Sequence, residues 1–145
     1  MRISDILRRK GAEVVTIGPH QTVHAAIQSL VKHNIGGLVV TRPDGSVVGI
    51  ITERDILRES AERSDRLKDT RVADVMTSEV IIGVPDDDLE YVMGIMTKNR
   101  IRHLPVLEGE KLVGIISIGD LVNSHLRQTE FENRMLKDYI HGVKN

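Results

Sequence analysis

Apolar positions along the chain change their period in a set order, and that order occurs twice. Residues 14–17 form a short apolar run closed by Pro19, which predicts a strand. Val23, Ala26, Ile27 and Leu30 follow at i, i+3, i+4 and i+7, the spacing of one helix face, with Thr22 placed to cap the first turn. Residues 38–41 and 47–51 are two more apolar runs, joined by Pro43-Asp44-Gly45-Ser46, the pattern of a hairpin. A helix starts near Glu53. The second half repeats this series. Residues 80–82 predict a strand closed by Pro85, and Asp86, Asp87 or Asp88 is placed to cap a helix bearing Leu89, Val92, Met93 and Met96 on one face. Strands over 104–107 and 112–116 flank Glu108-Gly109-Glu110, and a helix starts near Gly119. Each half reads β-α-β-β-α.

The two halves also share residues. A shift of 66 places Val14, Pro19, Lys32, Ile35, Leu38 and Val40 on identical residues, and a shift of 65 does so for Val48, Gly49, Ile50, Ile51 and Asp55. Residues 3–7 resemble 72–76 at a shift of 69, so the first half carries three extra residues around Arg9 to Ala12. The fold class is therefore α/β (α+β): two repeats packed face to face about a pseudo-two-fold axis, sharing one core and leaving two related clefts between them. The division is 1–63 for the first repeat, 64–71 for a polar linker, 72–127 for the second repeat and 128–145 for a helical extension. The last helix is expected to run from Gly119 to about His141. Leu121, Val122, Leu126, Phe131, Met135, Leu136, Tyr139 and Ile140 form a stripe along it that exceeds what one repeat covers. A second subunit or the N-terminal segment is expected to pack there.

Composition narrows the function. The chain has 145 residues, 40 % hydrophobic and 28 % charged, as in a soluble globular protein with one ordinary core. No apolar run approaches the ~20 residues that cross a bilayer, and residues 1–5 lack the apolar stretch of a signal peptide, so a cytoplasmic protein without membrane contact is expected. With no cysteine, disulfides, thiolate nucleophiles and iron–sulfur clusters are excluded. Lys+Arg (20) and Asp+Glu (21) nearly cancel, and aromatic residues are 2 %. Both facts weigh against nucleic acid, which asks for a basic surplus and stacking rings. A small-molecule or protein partner remains.

One motif carries chemistry. Val-Gly-Ile-Ile precedes Thr52-x-x-Asp55 and, again, Ser117-x-x-Asp120, each at a strand-to-helix junction. A hydroxyl followed three residues later by a carboxylate is a capping box. The same geometry offers free N–H groups to a phosphate and a carboxylate to the two hydroxyls of a ribose. Other signals are weaker. His20 and His24 stand at i, i+4 without a third metal ligand, and Asp86-Asp87-Asp88 suits a helix N-terminus as well as a cation. No metal is expected. Arg8-Arg9-Lys10 reads as a solvated face, although Lys10 is near enough to one cleft to reach a ligand phosphate.

The chain resembles the CBS-domain family, named after cystathionine beta-synthase. Gly49-Ile50-Ile51-Thr52-x-x-Asp55 and Gly114-Ile115-Ile116-Ser117-x-x-Asp120 both match its G-h-h-[ST]-x-x-D signature (h apolar), and residues 101–106 look like its second strand. The resemblance implies a regulatory pair that binds AMP, ADP, ATP, NAD(H) or S-adenosylmethionine between the repeats. By position it implies that Asp55 and Asp120 hold ribose hydroxyls and that Thr52 and Ser117 touch ribose or phosphate. It likewise implies that Arg102 and His103 face phosphate, that Ile51 and Ile116 contact the base, and that backbone around Ala12 and Val14 pairs with adenine in the Asp120 cleft. The halves differ: Gly36 and Gly37 stand opposite Arg102 and His103, and Arg54 opposite Gly119. The charge is thus asymmetric, and the glycines leave room for a larger ligand such as a dinucleotide. A homodimer and an effector protein are the expected partners. The alternative is an NAD- or nucleotide-using oxidoreductase or hydrolase, against which stand the missing Gly-rich dinucleotide fingerprint and the missing P-loop.

Overall fold

In the computed structural model, residues 1–11 and 13–140 are described. The elements run α1 (Ile3–Lys10), β1 (Thr16–Ile17), α2 (Val23–His33), β2 (Gly37–Thr41), β3 (Val47–Thr52), α3 (Glu53–Arg63), α4 (Val72–Val75), α5 (Leu89–Asn99), β4 (His103–Glu108), β5 (Lys111–Ser117) and α6 (Ile118–Ile140). β1 pairs parallel with β2, and β2 pairs antiparallel with β3. β4 and β5 form the equivalent hairpin.

The expected strand over 80–82 does not form; only Gly83 bridges Val106 in parallel. The cause is Pro105. Gly83 N–H donates to the Pro105 carbonyl and Leu107 N–H to the Gly83 carbonyl, each at 2.9 Å. The next parallel rung, toward Ile81, would need an N–H from residue 105, and proline has none. In the first half Val39 holds that position.

The expectation of one shared core is also corrected. Each half has its own cluster. Val23, Ala26, Leu30, Leu38, Val40 and Ile51 centre the first; Leu89, Val92, Met96, Leu104, Val106 and Ile116 centre the second. What crosses between halves is a short helix. Ile3, Ile6 and Leu7 of α1 pack into the second core, and Val72 of α4 packs into the first. The exchange is symmetric to the hydrogen bond. Ile3 N–H donates to Asp87 O and Leu89 N–H to Met1 O; Val72 N–H donates to Gln21 O and Val23 N–H to Thr70 O. These carbonyls satisfy first-turn N–H groups that a helix leaves free. Residues 64–70 are accordingly more than a tether: Leu67 packs on the first core and its carbonyl accepts from His24 N–H at 2.9 Å.

The caps follow chemistry. Thr22 accepts from Ala25 N–H at 3.1 Å. The aspartates do not do the same at α5. Asp88 stands at the N-cap position without a side-chain bond, and Asp87 Oδ2 accepts from Val84 N–H instead. In α6, Leu121 and Ser124 are buried, while Phe131, Met135, Leu136, Tyr139 and Ile140 are exposed. The N-terminal segment therefore does not cover that stripe, and His141 falls outside the described residues. Among the described residues no helix is long and apolar enough to cross a membrane.

Candidate functional site

Both Thr/Ser-x-x-Asp motifs form reciprocal caps. Thr52 N–H donates to Asp55 Oδ2 at 3.0 Å and Asp55 N–H donates back to Thr52 Oγ1 at 3.4 Å. In the second half the distances are 2.8 Å and 3.1 Å, between Ser117 and Asp120. Capping thus accounts for the spacing. It also sets Asp55 and the start of α3 beside the space between the halves.

There lies a cavity of about 910 Å³. Thr52, Arg54 and Asp55 enter it from the end of β3 and the start of α3, Gly36 from the residue before β2, and Arg102, His103 and Ser117 from the second half. Residues about 50 positions apart are gathered because the two hairpins face each other. Lys10, Gly119 and Asp120 are not in its wall. Asp120 is instead engaged by Lys10, whose Nζ stands 2.6 Å from Oδ2. Gly119 is exposed on the first turn of α6. Val14 lines a separate cavity of about 620 Å³ with Lys111 and Leu112, and Ala12 lies outside the described residues.

Two expected base contacts are corrected. Ile51 and Ile116 are fully buried, one in each core. Strand alternation explains it. If Thr52 faces the cavity then Ile50 shares its face and Ile51 takes the other. Ile50 does line the cavity.

The glycines at 36 and 37 do not hold space for a larger ligand. A Cβ on Gly37 would stand 3.1 Å from His103 Cγ, and one on Gly36 3.2 Å from His103 Nε2 and 3.0 Å from Glu53 Oε1. The imidazole lies on that bare backbone. Its Nδ1 is buried and finds no hydrogen-bond partner among the described residues. Burial lowers the His103 pKa below the ordinary imidazole value, partly offset by the nearby Glu53 carboxylate. At Asp120 burial pulls the pKa up. The Lys10 ammonium and the Ser117 N–H more than reverse it, so the carboxyl ends below its usual range.

Arg58, Arg100 and Thr77 are among the cavity residues that escaped sequence reasoning. Arg58 follows Arg54 by one helical turn, a signal that periodicity carried. Arg100 ends α5 in the left-handed region (φ 54°), where its counterpart Asn34 (φ 53°) also sits; an arginine there is strained, and only the fold shows that it reaches the cavity. Thr77, just past α4, donates its hydroxyl to Asp55 Oδ1 at 3.3 Å. Four arginines (54, 58, 100 and 102) thus face two carboxylates, Glu53 and Asp55. Among the described residues none of the four forms an ion pair. Elsewhere the acidic and histidine signals are spent locally. Asp86 pairs with Arg2 at 3.3 Å, His20 Nδ1 meets the Arg71 guanidinium at 3.4 Å, and no metal-like cluster of three occurs among the described residues.

Comparison with known proteins agrees with this architecture. The family model for the CBS domain matches residues 3–62 and 72–126. The mitochondrial CBS domain-containing protein CBSX3 of Arabidopsis thaliana is 37 % identical over 148 residues, spanning 97 % of this chain and 72 % of that protein. The crystal structure of the CBS-domain containing protein ATU1752 from Agrobacterium tumefaciens superposes with a TM-score of 0.83 at 41 % identity, covering 86 % of this chain and 99 % of that one. The CBS domain pair of protein MJ0100, solved in complex with 5′-methylthioadenosine and S-adenosyl-L-methionine, gives 0.75 at 27 %, covering 88 % and 98 %. The chain belongs to the CBS-domain family, as a tandem pair of the kind that serves as a regulatory module.

Proposed function

We propose that this pair senses an adenine nucleotide bound in the cavity between its halves. The observation that carries the reading is the coincidence in one 910 Å³ space of a capped carboxylate, Asp55, with Arg54, Arg58, Arg100, Arg102 and His103. Asp55 and Thr52 take the ribose hydroxyls, and Ile50 lies under the base. The arginines take the phosphates, for which a guanidinium fork is suited. His103 donates to a phosphate oxygen. AMP, ADP, ATP and NAD(H) share this chemistry, and the four cations favour ligands with more than one phosphate. The ligand is read rather than turned over. Binding stabilises one arrangement of the two halves, and the exposed face of α6 passes that state to a second copy of the chain or to an effector protein.

A thermal-shift panel of AMP, ADP, ATP, NAD(H), S-adenosylmethionine and GTP tests this on nucleotide-free protein. A ligand at ~100 times its Kd adds about 2.7 kcal/mol, enough to raise the midpoint by several degrees. Adenine nucleotides are expected to raise it and to be recovered unchanged. Asp55→Asn removes charge-assisted bonds worth about 1.5–3 kcal/mol, so affinity drops roughly 10- to 100-fold. No shift with any adenine nucleotide overturns the reading, and turnover of the ligand replaces it with the enzyme.

A further inference from the structure

Among the described residues, the non-glycine positions with positive φ are Asn34 at 53° and Arg100 at 54°. They hold the same place in the repeat, directly after α2 and directly after α5. The fold demands this conformation. It turns the chain so that the next residue, Ile35 or Ile101, donates its N–H back to Leu30 O at 3.1 Å or Met96 O at 3.0 Å and packs on its own core. The fold does not demand the residue type. Asparagine suits the left-handed region, because its short amide finds local hydrogen bonds; the long arginine side chain keeps the crowding at Cβ without that compensation. The first half has the favoured residue and the second half has the strained one. The strained one lies in a wall of the 910 Å³ cavity, with Arg54, Arg58 and Arg102, whereas Asn34 is in the wall of neither cavity described above. Arg100 is exposed, and among the described residues no carboxylate pairs with it.

We infer that Arg100 is a phosphate-binding residue of this cavity, held in a left-handed helix cap at the expense of fold stability. Backbone strain of this kind collects where function needs the side chain. The cap at the end of α5 is a point from which the second half reaches the cavity, and a guanidinium fork there binds two phosphate oxygens, which an amide cannot replace. The inference rests on the nucleotide reading above and deepens it. It names a residue outside the repeated motif and outside those that the resemblance assigns, and it ties that residue to the phosphate part of the ligand. The side chain that binds best at this position is not the one that folds best, so affinity and stability move in opposite directions when it is replaced.

The test uses the full chain, with ATP and inorganic tripolyphosphate as probes in calorimetric titrations, and urea denaturation without either. Arg100→Asn is expected to raise the ligand-free urea midpoint by roughly a few tenths of a molar and to weaken both probes roughly tenfold or more. Arg100→Lys keeps a cation and the strain. It is expected to stay near the wild-type midpoint and to recover part of the lost affinity. Asn34→Arg places the same strain away from the cavity, and should lower the midpoint without tightening either probe. If wild type binds ATP and Arg100→Asn binds it equally well, the Arg100 assignment falls and the nucleotide reading stands. A midpoint that Arg100→Asn does not raise overturns the proposal as well, since the arginine then costs the fold nothing. Tripolyphosphate bound as tightly as ATP, with both weakened in Arg100→Asn, keeps Arg100 and overturns the nucleotide reading. No binding of either probe by nucleotide-free wild type overturns both.

Discussion

His103 shows how one side chain ties the sheets together and what that costs. Its ring rests on Gly36 and Gly37 because no other residue leaves the backbone bare enough. Burial then works against protonation, and Glu53 only partly offsets it. The folded imidazole is therefore harder to charge than the unfolded one. Between its folded value and the ordinary histidine range the unfolded chain binds a proton that the folded chain does not. Stability from this group is full above that range and is lost as pH falls through the folded value. Urea midpoints measured from pH 7.5 to about pH 5 should therefore decline, and decline less in His103→Asn. Parallel curves for the two proteins would show that His103 makes no such contribution. At this scale the sequence was partly legible. The glycines opposite Arg102 and His103 stood out on alignment, but what filled them was a side chain 66 positions away.

At the scale of elements, the glycines of the two Val-Gly-Ile-Ile runs mark where the exchanged helices cross. Gly49 and Gly114 lie mid-strand, where glycine contributes no packing. A Cβ at 49 would stand 2.5 Å from Met76 Sδ and 2.9 Å from the Thr77 carbonyl oxygen. Thr77 in turn exchanges two 2.9 Å backbone hydrogen bonds with Ile50. At 114 the nearest obstacle is the Leu7 side chain, with Cδ2 at 2.5 Å. A side chain re-orients more cheaply than a hydrogen-bonded backbone. Gly49→Ala is thus expected to destabilise by about 1–3 kcal/mol and Gly114→Ala by less, read from urea denaturation of each. The reverse ranking would mean that Leu7 is the more rigid neighbour. Sequence reasoning saw the repeated glycine and the likeness of residues 3–7 to 72–76. It had no means to see that each leading helix packs on the other half, because periodicity tells which face is buried and never against what. The missing strand at 80–82 is the opposite case. Pro105 is visible in the sequence, but the apolar content of residues 80–82 points the other way.

At the scale of the molecule, α6 is the unfinished element. Among the described residues nothing beyond Ser124 is buried, yet Phe131, Met135 and Tyr139 recur at i, i+4 and i+8, beside Leu136 and Ile140. A helix with an apolar row in water is marginal by itself and a large exposed apolar patch marks an interaction surface. The chain is expected to self-associate through this row. Sedimentation of wild type against Phe131→Glu with Met135→Glu should show the oligomer dissociate while the circular-dichroism melt of the two halves is kept. A wild-type monomer at ~100 μM, well above the Kd of a stable interface, would leave the row to an effector protein instead.

The sequence by itself determined the repeat, the two hairpins with the helices that flank them, and the twin capping boxes, because these depend on residues within one turn or one hairpin of each other. It also determined that Thr52 and Asp55 share a junction. Only the tertiary structure decided that Arg54 and Arg58 share a cavity with Arg100, Arg102 and His103, and that Lys10 holds Asp120. Those facts depend on two halves meeting across more than 50 residues of chain, where local pattern carries no information about which side chains will share a space.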